Sequence, residues 1–220
     1  SRVAWKSHQP YRADAVGPAE HPRRCNMSNM ENFQCLCPNC PARWRRIVHL
    51  VRDGRSALCS YYVMQTQLGN FDGDFAAFLD SPKSTYGLPW PDHVASYADN
   101  PYVFLLKYED LHEDPVPTLH DLYAWLVPGK RISDHKLQAV VDSASFDAMR
   151  QSELHDGMPV FDANYPDAHT QRGFRLVREG KLDGWRHCTN DSALFDAKLP
   201  NFASAMHSLG YYDADHHHHL

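Results

Sequence analysis

Two polar clusters in this 220-residue sequence carry side chains suited to chemistry. The first is Arg52-Asp53-Gly54-Arg55, with Ser60 eight positions after Arg52. A guanidinium donates in a fork and a hydroxyl adds one more donor, so the pair near a helix start suits a phosphate group. The same residues fit a structural arrangement, in which Arg52 pairs with Asp53 or Glu109 and Ser60 bonds back to its own helix. Composition alone favours that second arrangement. The other cluster is Lys107-Tyr108-Glu109-Asp110-Leu111. Its adjacent carboxylates suit acid–base work or the neutralisation of Arg52 or Arg55, and with no partner in view the structural role is the better reading. Four of the six cysteines, Cys25, Cys35, Cys37 and Cys40, fall within sixteen residues. They can hold one zinc ion through four thiolates, close two local disulfides or stay unlinked. Each reading makes them a pin for the surrounding loop. Cys59 and Cys188 stand alone.

These clusters need a frame to hold them. With 43% hydrophobic and 22% charged residues the chain has enough apolar material for a packed core, which excludes wholesale disorder. Lys and Arg number 22 against 27 Asp and Glu, and the net charge of −5 argues against non-specific nucleic-acid binding and a polybasic membrane surface. No apolar run approaches the roughly 18 residues of a membrane-spanning helix, and the first dozen residues lack a signal peptide's apolar segment. A cytoplasmic location is expected, or a lumen such as the Golgi if the cysteine cluster is disulfide-bonded.

Residues 1–10 read as a strand closed by Pro10, and 11–43, with Pro18, Pro22, Pro38 and Pro41, as a long insertion stapled by the cysteines. Trp44–Val51 reads as a buried strand and Arg55–Gln67 as a helix. There follow a short helix at Phe75–Leu79, a helix at Trp90–Tyr97, a second buried strand at Tyr102–Tyr108 and a helix from Pro115 through Leu126. Ser133 caps a helix over Asp134–Asp142. The stretch 152–179 reads as a long loop. Phe195, Leu199, Phe202, Met206 and Leu209 space a last helix, kinked or split by Pro200 and ended by Gly210. Alternating buried strands and helices give an α/β fold with a mostly parallel sheet. It forms a single domain over 1–212, followed by a His-rich tail at 213–220 that reads as a tag remnant or low complexity.

In such sheets ligands sit beyond the carboxyl ends of the strands, where both clusters lie. The run Val51 to Tyr62 resembles the strand–turn–helix phrase of sulfotransferases that use 3′-phosphoadenosine 5′-phosphosulfate (PAPS). The resemblance implies that Arg52 and Ser60 grip the nucleotide's 3′-phosphate. Further phrases follow in family order. Trp90-Pro91-Asp92-His93-Val94 is similar to the family's tryptophan–histidine–valine helix. Phe104 to Leu111, then Glu113-Asp114-Pro115, is similar to its second strand, which implies that Tyr108 lies near the adenine. Ser145 to Arg150 resembles the phrase that wraps the base, which places Phe146 and Met149 there. Val177-Arg178-Glu179-Gly180, with Asp183 to Arg186 after it, resembles the C-terminal nucleotide clamp, in which Arg178 and the Gly180 N–H complete the 3′-phosphate site. Trp5 to Pro10 is similar to the strand end that carries the catalytic base, which implies His8 as base and Lys6 as stabiliser of developing negative charge. An attacking hydroxyl must lose its proton, and histidine's near-neutral pKa suits that task. Lys6, two residues earlier, shares its face of a strand.

The resemblance therefore implies a P-loop-like sulfotransferase fold and sulfuryl transfer from PAPS to an acceptor hydroxyl or amine. Adenosine 3′,5′-bisphosphate is the product, with no catalytic metal and no nucleic-acid partner. The acceptor is expected to be a small molecule lodged by 11–43, 66–90 and 152–172, since these stretches hold no basic cluster beyond Arg23-Arg24 and Arg43. Three positions depart from the family pattern. Glu179 stands where the clamp has a cation, Asp183-Gly184-Trp185 inverts a Gly-Asp-Trp order, and Ala144 replaces an adenine-contacting threonine. The Gly/Ser/Thr-rich loop that holds the 5′-phosphosulfate has no counterpart, since Gly69 and Gly73 are followed by Asp74 and Phe75. The 220 residues are thus expected to be N-terminally incomplete, to bind the bisphosphate weakly and to transfer little sulfuryl. Two alternatives stand beside this reading: a non-catalytic sulfotransferase-like nucleotide-binding or protein-interaction domain, and a P-loop nucleotide kinase relative. The kinase requires a Gly-x4-Gly-Lys-Ser/Thr loop.

Overall fold

A computed structural model describes residues 47–85, 88–100, 103–157 and 174–212. The expected strand at 1–10 with Lys6 and His8, the insertion 11–43 with Cys25, Cys35, Cys37 and Cys40, and the tail 213–220 lie outside the described residues.

Strand β1 (Ile47–Val51) leads into helix α1 (Gly54–Gln67), α2 (Phe75–Asp80), a 3-10 turn at Pro82–Ser84, and α3 (Trp90–Tyr97). Strand β2 (Val103–Lys107) follows, then α4 (Tyr108–Glu113), α5 (Pro115–Leu126), α6 (Asp134–Ser143) and α7 (Phe146–Asp156). A 3-10 turn at Gly184–His187 precedes α8 (Ala193–Lys198) and α9 (Phe202–Ser208). The two strands pair in parallel, with Ile47 opposite Val103 and Val51 opposite Lys107. Because parallel strands end at the same edge, Arg52-Asp53 and Tyr108-Glu109 emerge side by side. That edge is where the two polar clusters meet.

Several local expectations are corrected. Tyr108 does not end the second strand; it opens α4, whose first turn holds Glu109 and Asp110 where carboxylates favour a helix start. Residues 152–156 are helical, not loop. Ser145 caps α7 by accepting the Ala148 N–H at 3.3 Å, and Met149, Arg150, Gln151 and Leu154 are good helix formers. The strands are not buried on both faces, since His49 and Val51 are buried while Val48 and Leu50 are exposed. A short apolar run does not by itself show how many faces are covered. Cys59 and Cys188 do not stand alone, for they form a disulfide. The last helix, by contrast, splits as Pro200 implied: it divides at Leu199-Pro200, and Asn201, at φ 64°, caps α9.

Phe78, Phe195, Phe202 and Met206 are almost wholly buried and, with Leu58 and Trp185, centre the core. A Cβ on Gly54 would lie 2.7 Å from the Trp90 ring, so only glycine lets the first turn of α1 seat on α3.

Candidate functional site

At the strand ends most charges are committed to structure. Asp53 caps α1 by accepting the Arg55 N–H at 2.8 Å, and its carboxylate also takes the Arg55 guanidinium, with Nη2 to Oδ2 at 2.6 Å. Arg55 is buried against the face of Trp185, 4.9 Å from the ring centroid. Glu109 accepts the Asp53 N–H at 3.0 Å through Oε1 and the Tyr211 hydroxyl at 2.6 Å through Oε2. Burial, then the bond to Glu109, pushes the Tyr211 phenol above its ordinary pKa. Both oxygens of Glu109 therefore brace the edge.

Arg52 follows a different course from either pairing considered for it. Its guanidinium lies 4.7 Å from the centroid of the Tyr108 ring, and Nη2 donates to the Lys181 carbonyl. Nε is buried with no hydrogen-bond partner among the described residues.

The segment 174–188 crosses α1 on the face that carries Ser56, Cys59 and Ser60, positions three and four apart and so stacked along one side of a helix. Ser56 Oγ donates to the Leu182 carbonyl at 2.7 Å, and Arg178 Nη2 donates to Ser60 Oγ at 3.0 Å. Ser60 is thus engaged across the cleft. Burial lowers the Arg178 pKa; the Glu179 carboxylate opposes that shift and the nearby Arg52 guanidinium adds to it. Two cations held this close favour an anion between them. Gly180 adopts φ 65°, and a Cβ there would fall 2.9 Å from the Phe146 ring. The Tyr108 hydroxyl lies 3.5 Å from the Gly180 carbonyl.

A cavity of about 450 Å³ results. The seven positions singled out for a nucleotide, Arg52, Ser60, Tyr108, Phe146, Met149, Arg178 and Gly180, all line it. So do Ser56, Lys181 and His187, which the sequence reading passed over. Ser56 was within reach of that reading, because it shares a helical face with Ser60. Glu179 Oε2 lies 3.4 Å from Lys181 Nζ and 3.0 Å from His187 Nε2. These contacts, Lys181 foremost, hold its carboxyl below the usual range.

The strand ends thus gather Arg52, Arg178 and Ser60 around one cavity on a parallel α/β core. The sulfotransferase domain model matches residues 29–193, and the chain belongs to the sulfotransferase family. It is 25% identical to 3-alpha-hydroxysteroid sulfotransferase of Cavia porcellus over 150 residues, which cover 64% of this chain and 50% of the relative. Over 164 residues it is 24% identical to flavonol 3-sulfotransferase of Flaveria bidentis, covering 68% and 51%. The chain thus spans about half the length of the curated relatives it matches. Among solved structures, mouse sulfotransferase SULT7A1 complexed with PAP gives a TM-score of 0.57 at 21% identity, covering 78% of this chain and 64% of that one. Retinol dehydratase in complex with androsterone and PAP gives 0.57 at 19%, covering 76% and 49%. The shared fold is the sulfotransferase α/β fold.

Proposed function

We propose that this chain supplies the 3′-phosphoadenosine side of a PAPS site in an enzyme that moves a sulfuryl group to a small-molecule hydroxyl or amine. The observation that carries the reading is the convergence of Arg52, Arg178 and Ser60, with Arg52 Nε buried and, among the described residues, unpaired. A buried guanidinium nitrogen without an acceptor is costly, and a phosphate oxygen supplies one. The Phe146 ring packs directly against Gly180, where a Cβ would not fit, and with Tyr108 and Met149 it gives the cavity apolar faces that suit a planar base. The cavity's volume falls within the roughly 300–1,000 Å³ of small-molecule sites. When bound, PAPS supplies the sulfuryl group. The chain's own residues neutralise the 3′-phosphate, hold the base and so fix the nucleotide's orientation. His8 as base and Lys6 as stabiliser belong to the same proposal and rest on the family resemblance. That the relatives are named for a hydroxysteroid and a flavonol supports a small-molecule acceptor.

Calorimetric titration with adenosine 3′,5′-bisphosphate and with adenosine 5′-monophosphate tests the reading. The bisphosphate is expected to bind more tightly, and Arg178→Ala to remove roughly tenfold or more of that preference. Equal binding of the two nucleotides would overturn it.

A further inference from the structure

Helix α7 carries Phe146, Met149, Arg150 and Glu153 at spacings that bring them to one side. Phe146 and Met149 line the cavity. Glu153 is the one residue of this helix that is buried, at 7% exposure, within an otherwise solvated stretch. Each oxygen of its carboxylate accepts a backbone N–H. The Leu176 N–H donates to Oε1 at 2.6 Å and the Val177 N–H donates to Oε2 at 3.0 Å. One turn earlier, Arg150 Nη1 donates to the Arg178 carbonyl at 3.3 Å. Three consecutive residues of the clamp are therefore held by one helical face.

The clamp around these residues has no regular secondary structure, so no strand ladder sets its register. Backbone N–H groups shielded from water need acceptors, and Glu153 offers two, spaced for consecutive peptides. A slip of one residue would carry the Arg178 side chain away from Ser60 and move Gly180 off Phe146, where no other residue fits. We propose that Glu153 is a positioning residue for nucleotide binding, a double acceptor that sets the register of the clamp and aims Arg178 into the cavity. This rests on the nucleotide reading of that cavity.

Two variants of the full chain test it. E153Q keeps the side chain's size but offers one acceptor oxygen and turns an amino group on the other N–H, and E153A removes both acceptors. The readouts are the affinity ratio between adenosine 3′,5′-bisphosphate and adenosine 5′-monophosphate, and the hydrogen exchange of the Leu176 and Val177 amides without nucleotide. The expected result is faster exchange at both amides and a loss of roughly tenfold in the ratio, with bisphosphate binding falling much further than 5′-monophosphate binding. A merely structural role would weaken both nucleotides alike, and that result overturns the proposal. So does an unchanged ratio in E153Q, which carries the test if E153A fails to fold. Wild-type protein without preference for the bisphosphate would instead overturn the nucleotide reading itself.

Discussion

Cys59 and Cys188 are joined by a disulfide across 129 positions, with their Cα atoms 5.9 Å apart. Cys59 precedes Ser60 and Cys188 follows His187, so the bond fastens α1 to the end of the clamp beside the cavity. Closing so long a loop restricts the unfolded chain strongly. Reduction, or Cys188→Ser, is expected to lower the unfolding free energy by about 2–4 kcal/mol, measured by urea denaturation with and without dithiothreitol. Such bonds persist in oxidising compartments and are rare in the cytosol. The bond and a cytoplasmic location therefore pull in opposite directions. Alkylation of the purified chain before and after reduction, read by peptide mapping, is expected to tag Cys59 and Cys188 only after reduction, and tagging of this pair beforehand would mean the bond does not form.

Gly180 sits at φ 65°, in contact with the ring that would flank a base. Gly180→Ala meets two separate penalties, a left-handed backbone that disfavours a side chain and a Cβ 2.9 Å from Phe146. Ring or clamp has to shift. Bisphosphate affinity is expected to fall roughly tenfold or more, on a scale of 1–2 kcal/mol of backbone cost plus the displaced ring. Calorimetry checks the affinity, and an unchanged value would show that the clamp bends without cost to the site.

What could be read in the sequence was what lies within one local unit. Arg52 and Ser60 belong to a single strand–turn–helix unit, so their spacing already implied a shared edge. The parallel sheet followed from two apolar runs separated by helical segments. What escaped depends on contacts between distant segments. Glu153 looked like any polar residue in a loop, because its partners are backbone amides 23 and 24 positions on. The periodicity of α7 was hidden because its inward side mixes Phe146 and Met149 with Arg150 and Glu153. Cys59 and Cys188 carry no mutual signal until α1 and the turn at Gly184–His187 pack together.

His49 is buried in β1, stacked on Tyr97 with ring centroids 4.2 Å apart and 5.4 Å from His93. Burial, and secondarily the His93 charge, lower its pKa from 6.5 to about 4. Between those values the unfolded chain holds the proton and the folded chain does not. Stability therefore rises with pH through this window, is complete above 6.5, and is lost as pH falls toward 4. The contribution is on the order of 3 kcal/mol. His49→Phe keeps an aromatic stack on Tyr97 and removes the titration. Its denaturation free energy is expected to vary less between pH 4 and 6.5 than that of the wild type, and parallel pH profiles would reject the assignment.

Glu179 places a carboxylate on the cavity wall, where a phosphate is proposed to bind. Its charge is occupied by Lys181 at 3.4 Å and His187 at 3.0 Å, so the anion is partly neutralised by two groups that also line the cavity. Glu179→Gln releases the Lys181 ammonium and the His187 ring toward a bound phosphate and removes the like charge. Because the side chain is about half exposed, solvent screens the effect. Bisphosphate affinity is expected to rise only about two- to fivefold, the scale of a surface ion pair. Raising the salt concentration should erase the difference, since the Debye length shrinks from about 10 Å at 0.1 M to about 3 Å at 1 M. Weaker binding by the variant at low salt would mean the opposite, that Glu179 serves the site by holding Lys181 and His187 at the cavity wall.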